Sequence, residues 1–210
     1  MIKYVIFIYL SFLSIFYTGP SSAQTLYAVK WVSDGDTIVL MDGRHVRYIG
    51  INTPEVKHAD KKAEPYGYQA KNFNTKLLYS RRVRLEFDKE RYDQFGRLLA
   101  YVFLEDGTFV NKAILEHGLA YCLPRRPNNR YDEVFLNSQR YAMSEKSGIW
   151  RQFNEKRGGY IANQRSKRFH KETCPFGKKT KERNRIIFKE KWEAFWAGFA
   201  PCKKCFGNYD

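Results

Sequence analysis

Three charged side chains define the chemistry that this chain could perform. Arg47 lies inside the apolar run Val46-Arg47-Tyr48-Ile49-Gly50-Ile51, and Glu55 follows eight residues later, just past the Asn52-Thr53-Pro54 step. Arg97 ends a second cluster, Asp93-Gln94-Phe95-Gly96-Arg97, and the acidic turn Asp34-Gly35-Asp36-Thr37 precedes both. Guanidinium groups stay charged and donate paired hydrogen bonds to phosphate oxygens, so Arg47 and Arg97 suit a clamp. A carboxylate at a loop mouth, Glu55, can orient or deprotonate a water. Phosphodiester hydrolysis needs both, since water must be placed in line with a repelling phosphate and added charge must be stabilised in the transition state. Each piece alone has an ordinary structural use: Asp-Gly-Asp as a turn, Gly-Arg as a strand start.

The elements that would position these groups follow from the pattern. Alternation and β-branched residues predict a strand over 44–51, ended by Pro54, which lacks a ladder N–H and holds Thr53 extended. Strands are also expected over 24–32, 37–41, 83–87 and 97–104, with hairpin signals at Asp42-Gly43 and Asp106-Gly107. The segment 56–64 is polar, carries Lys57, Lys61 and Lys62, and reads as a loop. Tyr66, Ala70, Phe73 and Leu77 recur at helical spacing. Two more helices are expected over 111–117, stopped by Gly118, and about 130–146, before Gly148, with Trp150 packed under the last. Five short strands with a helix between the third and fourth suggest a Greek-key barrel of the OB type.

The chain has 210 residues and a formal net charge of +15, which favours a polyanionic partner: nucleic acid first, an anionic membrane second. Residues 1–23 read as an export signal, with Lys3 as the charged start, an apolar stretch from Tyr4 to Tyr17, and Pro20-Ser21-Ser22-Ala23 as the cleavage region. That stretch is short for a membrane span, which needs about 20 apolar residues. The expected location is secreted or periplasmic. A membrane enters only in the alternative case that the segment is retained.

Read in order, Asp34-Gly35-Asp36-Thr37, Arg47, Asn52-Thr53-Pro54-Glu55, Tyr66-Gly67, Asp93, Gly96-Arg97, Leu99-Ala100-Tyr101, Val110-Asn111, Gly118-Leu119-Ala120, Pro127-Asn128-Asn129 and Ile149-Trp150 resemble the staphylococcal nuclease (thermonuclease) family across 24–150. The resemblance implies an OB barrel with three helices and a calcium-dependent phosphodiesterase acting on DNA and RNA. It also implies Arg47, Glu55 and Arg97 as the catalytic set, with Arg97 toward the leaving oxygen, and Asp36, residue 52 and the Thr53 carbonyl as calcium ligands. Lys61, Lys62, Phe95, Arg125 and Arg126 are the candidate substrate contacts. Three departures stand out. Asn52 replaces the family's aspartate, so an amide oxygen can still ligate but one formal negative charge is lost. Phe95 replaces a tyrosine, and can stack but not donate a hydroxyl. Leu123-Pro124-Arg125-Arg126 lacks the family's tyrosines before Pro-Asn-Asn, leaving two arginines as stacking planes or phosphate contacts. The competing reading is a non-catalytic OB scaffold for RNA or proteins; Arg47, Glu55 and Arg97, all present, discriminate against it.

Residues 151–210 carry 16 basic and 6 acidic side chains. Arg151–Gly159 reads as a linker, and 160–210 as a small α/β metal-binding domain with one helix at about 189–197. Its spacing His170-x3-Cys174…Cys202-x2-Cys205 is a four-ligand set that Zn2+ accepts, and a metal crosslink adds folding free energy to a segment too short to bury much core. This stretch resembles the zinc-binding domain of the Ada DNA-repair methyltransferase, with His170 standing where that relative has a cysteine. A disulfide is the rival reading in an oxidising compartment, but three cysteines leave one over. Cys122, in the body, reads as a buried thiol. The tail's lysines suit phosphate contacts or a solvated face.

Overall fold

Strand pairing brings the charged clusters together. The computed structural model describes residues 25–57, 62–153 and 158–207; the expected export segment, Lys61 and part of the expected linker lie outside them. Strands β1 (Leu26–Asp34), β2 (Thr37–Leu40) and β3 (His45–Tyr48) form an antiparallel meander, turning at Asp34-Gly35-Asp36 and at Asp42-Gly43. The short β4 (Ile51–Asn52) precedes helix α1 (Gly67–Leu78), then β5 (Arg82–Glu86) and β6 (Leu98–Leu104) form a hairpin. Parallel pairing of β3 with β6, and antiparallel pairing of β5 back onto β1, closes a five-stranded barrel. Arg47 thereby lies between Thr37 on one side and Leu99 on the other. The acidic turn and the start of the Arg97 strand are its neighbours because of this register.

Helices α2 (Val110–Glu116) and α3 (Asp132–Ser144) complete the body, with β7 (Tyr121–Cys122) between them pairing with β4. Every residue of β6 is buried, in keeping with its unbroken apolar sequence. Two amides join the layers. Asn111 donates to the Ile49 carbonyl (2.9 Å) and accepts from the Val102 N–H (3.0 Å), and Asn74 of α1 donates to the Gly35 carbonyl (3.2 Å) beneath the acidic turn. The strand expected over 44–51 is interrupted. Gly50 has φ +79°, and a Cβ there would lie 2.5 Å from the Phe135 ring, so the chain bends to admit α3.

The C-terminal region holds more regular structure than its sequence pattern suggests. Strands β8 (Tyr160–Asn163), β9 (Arg168–Lys171), β10 (Arg185–Phe188) and β11 (Ala200–Pro201) form one sheet in the order β10-β8-β9-β11. Around it lie α4 (Pro175–Lys178), α5 (Lys191–Trp196) and α6 (Lys203–Phe206). The expected helix at about 189–197 is α5, begun by a capping box between Glu190 and Glu193. The α/β character expected of this region is present; its individual strands were not placed from sequence, because strands of four residues give too few alternations to count.

The packing joins this region to the body. Tyr121, Met143 and Trp150 share one apolar cluster with Phe169, Phe195 and Phe199, and the Trp150 and Phe195 rings lie 5.1 Å apart, edge to face. Trp150 thus packs beneath the C-terminal module as well as near α3. At the centre of this contact Gln139, fully buried on α3, accepts from the Cys122 N–H (2.6 Å) and donates to the Phe195 carbonyl (2.5 Å). Among the described residues no helix is long and apolar enough to cross a membrane.

Gln139→Ala strands a buried donor and a buried acceptor at once. Its expected cost is about 2–4 kcal/mol, read as a lowered urea midpoint. A midpoint unchanged from wild type would show that the bridge does not hold the two parts together.

Candidate active site

The floor of the site is a buried ionic knot at the Arg47 end of the barrel. Arg47 Nη2 pairs with Asp36 Oδ2 at 2.9 Å and donates to Asn52 Oδ1 at 3.1 Å. Its Nη1 donates to the carbonyls of Tyr48 (2.8 Å) and Ile51 (3.0 Å), which become available because the chain bends at Gly50. Asp36 Oδ2 also accepts from the Thr53 N–H at 2.8 Å, while the Asp36 N–H donates to Asp34 Oδ1 at 3.0 Å. Asn52 Nδ2 donates to the Thr53 carbonyl and to the Tyr121 hydroxyl, each at 3.1 Å. Asp36, Arg47, Asn52 and Thr53, widely separated in two sequence motifs, thus form one cluster. The close approach depends on Gly35: a Cβ there would lie 2.7 Å from both Ala70 and Thr53 side chains. Burial pushes the Asp36 carboxyl up to about 7; Arg47 opposes that rise and Asp34 adds to it.

The second wall is the turn at 93–97. Arg97 presents Nε and Nη2 to Asp93 Oδ2, each at 2.8 Å, while Asp93 Oδ1 accepts from the N–H groups of Phe95 (2.9 Å) and Arg97 (3.0 Å). Burial works against ionisation of Asp93, but Arg97 and these N–H groups outweigh it and hold the carboxyl below its usual range. Asp93 is therefore an anionic bracket that aims Arg97. Phe95 is 73% exposed with the Arg97 guanidinium 5.6 Å from its ring centre, an open apolar plate beside a cation. Between the two walls lies a cleft of about 200 Å³ whose lining includes Arg47, Asn52, Phe95, Arg97, Arg125 and Lys203.

Glu55 is half-buried at the adjoining edge, beside a smaller cavity of about 40 Å³ lined also by Asn52, Glu64, Tyr121 and Lys203. Glu64 closes the base of the polar loop: its Oε2 accepts from the Glu55 N–H and its own N–H donates to the Glu55 carbonyl, both at 2.9 Å. Lys62 is exposed on that loop, and Lys61 lies outside the described residues. Arg125 lines the Arg97 cleft, whereas Arg126 lines a separate cavity with Asp132 and Lys167. The structure therefore separates these two neighbours. Glu64, Tyr121 and Lys203 were missed as site residues. Only Tyr121 carried a signal, by following the Gly118-Leu119-Ala120 motif; Glu64 and Lys203 are brought in by loop closure and by domain packing.

A second cluster lies in the C-terminal module. The donor atoms of His170, Cys174, Cys202 and Cys205 all fall within 4.8 Å of one another, and Cys174 Sγ is 3.5 Å from His170 Nδ1. Zinc bonds of about 2.0–2.3 Å set tetrahedral edges near 3.5–3.8 Å, so the donors fit a metal without rearrangement of the fold. Burial, with Arg168 nearby, lowers the His170 pKa and favours the neutral imidazole that ligation needs. Against the opposing effect of burial, the N–H groups of Gly177 and Phe176 hold the Cys174 thiol below its usual range. Cys122 is apart from this set in position: it is buried on β7, and burial pushes its thiol up as it does that of Cys205.

The raised Asp36 pKa carries a definite sign. The folded protein binds that proton more tightly than the unfolded chain, so the associated stability is whole below the usual carboxylate range and is lost as pH rises through about 7. In chelator, the urea midpoint of the wild type is expected to fall between pH 5 and pH 8 more steeply than that of Asp36→Asn. Equal slopes would contradict the buried, proton-retaining carboxyl.

Residues 45–152 match the family model described as staphylococcal nuclease homologue. The thermonuclease of Staphylococcus intermedius is 42% identical over 127 residues, 59% of this chain and 75% of that protein. The thermonuclease of Staphylococcus hyicus is 40% identical over 136 residues, 63% of this chain and 80% of that protein. Endonuclease YncB of Bacillus subtilis is 40% identical over 135 residues, 62% of this chain and 61% of that protein. With a closed barrel, a family-model match over half of the chain and these relatives, the chain belongs to the staphylococcal nuclease homologue family.

Proposed function

We propose that this nuclease is an exported, calcium-dependent endonuclease that hydrolyses phosphodiester bonds of DNA and RNA with little sequence specificity. The observation that carries the reading is the convergence of Arg47 and Arg97 on one cleft, with Asp36, Asn52 and Thr53 beside Arg47 and Glu55 at the edge. Thermonucleases and an endonuclease among the relatives support the reaction class. The basic side chains of the cleft, Arg47, Arg97, Arg125 and Lys203, support low sequence specificity, because phosphate contacts carry no sequence information. Export rests on the pattern of residues 1–23.

In this reading Glu55 orients and deprotonates the attacking water, and its half-buried position keeps it within reach of both solvent and cleft. Arg97, aimed by Asp93, stabilises charge that grows on the phosphoryl oxygens and the leaving oxygen. Arg47 clamps a phosphate oxygen from the opposite side of the cleft. Phe95 offers a face on which a base can stack. Asp36, the Asn52 amide oxygen and the Thr53 carbonyl would hold Ca2+, a set of hard oxygen donors suited to that ion. The ion would neutralise phosphate charge beside Arg47. Asn52 leaves the set one negative charge short of an all-carboxylate version, and its Nδ2–H sits on the Thr53 carbonyl.

The C-terminal module is proposed to hold Zn2+ through His170, Cys174, Cys202 and Cys205 and to add basic surface for nucleic acid. The four convergent donors support this over a disulfide, which would leave a third thiol and an imidazole in the same space. The presence of Arg47 and Arg97 on one cavity and of Glu55 on a neighbour that shares Asn52 and Lys203 with it favours this reading over a non-catalytic scaffold.

Glu55→Gln and Arg97→Ala are each expected to lose on the order of 10²–10³ in rate on plasmid DNA and on RNA at saturating calcium, with the fold intact by circular dichroism. Near wild-type cleavage by either variant would show that the site is misassigned. Elemental analysis of the purified protein is expected to find near one zinc per chain, with Cys174, Cys202 and Cys205 unreactive to thiol reagents until a chelator is added. A metal-free protein with an oxidised cysteine pair would establish the disulfide instead.

A further inference from the structure

The C-terminal module does more than lie beside the nuclease body. We infer that Lys203, carried on the turn between Cys202 and Cys205, is a substrate-positioning residue of the nuclease site, binding a backbone phosphate of the strand in the Arg97 cleft. The inference rests on the nuclease reading above. Lys203 is exposed, and it lines both cavities of the site: the cleft with Arg47, Arg97 and Arg125, and the smaller one with Asn52, Glu55 and Glu64. It is therefore the one side chain of the module shared by both. Among the described residues it has no ion-pair partner, whereas Arg97 is held by Asp93 and Arg47 by Asp36. A lysine without an ion-pair partner among the described residues, at the edge of a cleft lined by Arg47, Arg97 and Arg125, has a polyanion in that cleft as a natural counter-charge.

The turn that presents Lys203 is anchored on both sides. Pro201 pairs with Phe169 in the β11–β9 ladder, and the Cys202 N–H donates to the Phe169 carbonyl at 2.9 Å. Beyond it the N–H groups of Cys205 (3.2 Å) and Phe206 (3.1 Å) both donate to the Cys202 carbonyl, closing the turn, and Cys202 and Cys205 reach back into the His170–Cys174 cluster. Phe206 is buried in the module core and Pro201 lines the Glu55 cavity, so the anchor is itself packed against the body. Lys204, the next residue, is equally exposed but lines neither cavity. The same knuckle thus aims one lysine into the site and the other away from it. This placement also changes what the module means for short substrates: a strand that fills only the cleft still meets it.

The test compares full-length Lys203→Ala, Lys203→Arg and Lys204→Ala. Binding of a fluorescent single-stranded oligonucleotide is measured across a salt series in the Glu55→Gln background, and steady-state cleavage of a short oligonucleotide with Glu55 restored. Lys203→Ala is expected to weaken binding several-fold, to reduce the slope of log K against log salt by about 0.7–1, and to raise KM more than it lowers kcat. Lys203→Arg should retain most of the affinity, and Lys204→Ala should leave KM near that of the wild type. Unchanged zinc content and melting temperature in Lys203→Ala exclude a folding defect. An unaltered salt slope and KM in Lys203→Ala would overturn the proposal, as would equal losses in Lys203→Ala and Lys204→Ala, which denote a diffuse basic surface. Failure of the nuclease reading looks different: the wild type would neither bind nor cleave the oligonucleotide, or Glu55→Gln would remain active, and the role of Lys203 would fall with it.

Discussion

A guanidinium held inside a barrel wall constrains this molecule more than any other group. Arg47 cannot be desolvated without compensation, and the fold supplies it with one carboxylate, one amide oxygen and two main-chain carbonyls. The partners come from three local features: Asp36 from the β1–β2 turn, Ile51 and Asn52 from β4, and Tyr48 from the end of β3 before the bend at Gly50. Satisfying the arginine therefore forces the acidic turn, the strand break and the Asn52-Thr53 step into one place. The groups that meet the needs of a buried charge are the groups to which the proposed chemistry is assigned.

The two arginines of the site are stabilised by contrasting means. Arg47 is enclosed, with only 13% of its side chain exposed, and its charge is balanced by a carboxyl that burial itself pushes toward protonation. Arg97 is more open at 30% and is gripped by an Asp93 carboxylate that four local donors, side-chain and main-chain, keep ionised. One arginine is thus fixed by the barrel and the other by a self-contained turn. An enclosed clamp facing an adjustable one suits a site that must grip a phosphate and then follow its change of shape.

The C-terminal module extends the same logic. Its apolar cluster is continuous with Tyr121, Met143 and Trp150 of the body, and Gln139 seals the joint by bonding main chain on both sides. A fully satisfied buried amide at such a joint fixes orientation, since any other packing would strand two polar groups. That fixed orientation is what turns the cysteine knuckle toward the cleft.

The closed barrel, its strand-helix order and the four-donor cluster were legible in the chain, because each is written in local spacing: alternation, turn dipeptides, and short-range ligand offsets. Asp93 and Phe95 were visible for the same reason, being within four residues of Arg97. What only tertiary structure decided is which of these groups face one another. The break at Gly50 depends on Phe135 of α3, eighty-five residues away, and the separation of Arg125 from Arg126 depends on the cavities their neighbours form. The Lys203 position depends on packing between parts more than a hundred residues apart in sequence. The expectation of two cores held apart by a linker came from composition alone, and composition carries no record of a shared interface. Local pattern reports what a segment can become; long-range packing, driven by burial and by the need to pair every buried polar group, selects its neighbours.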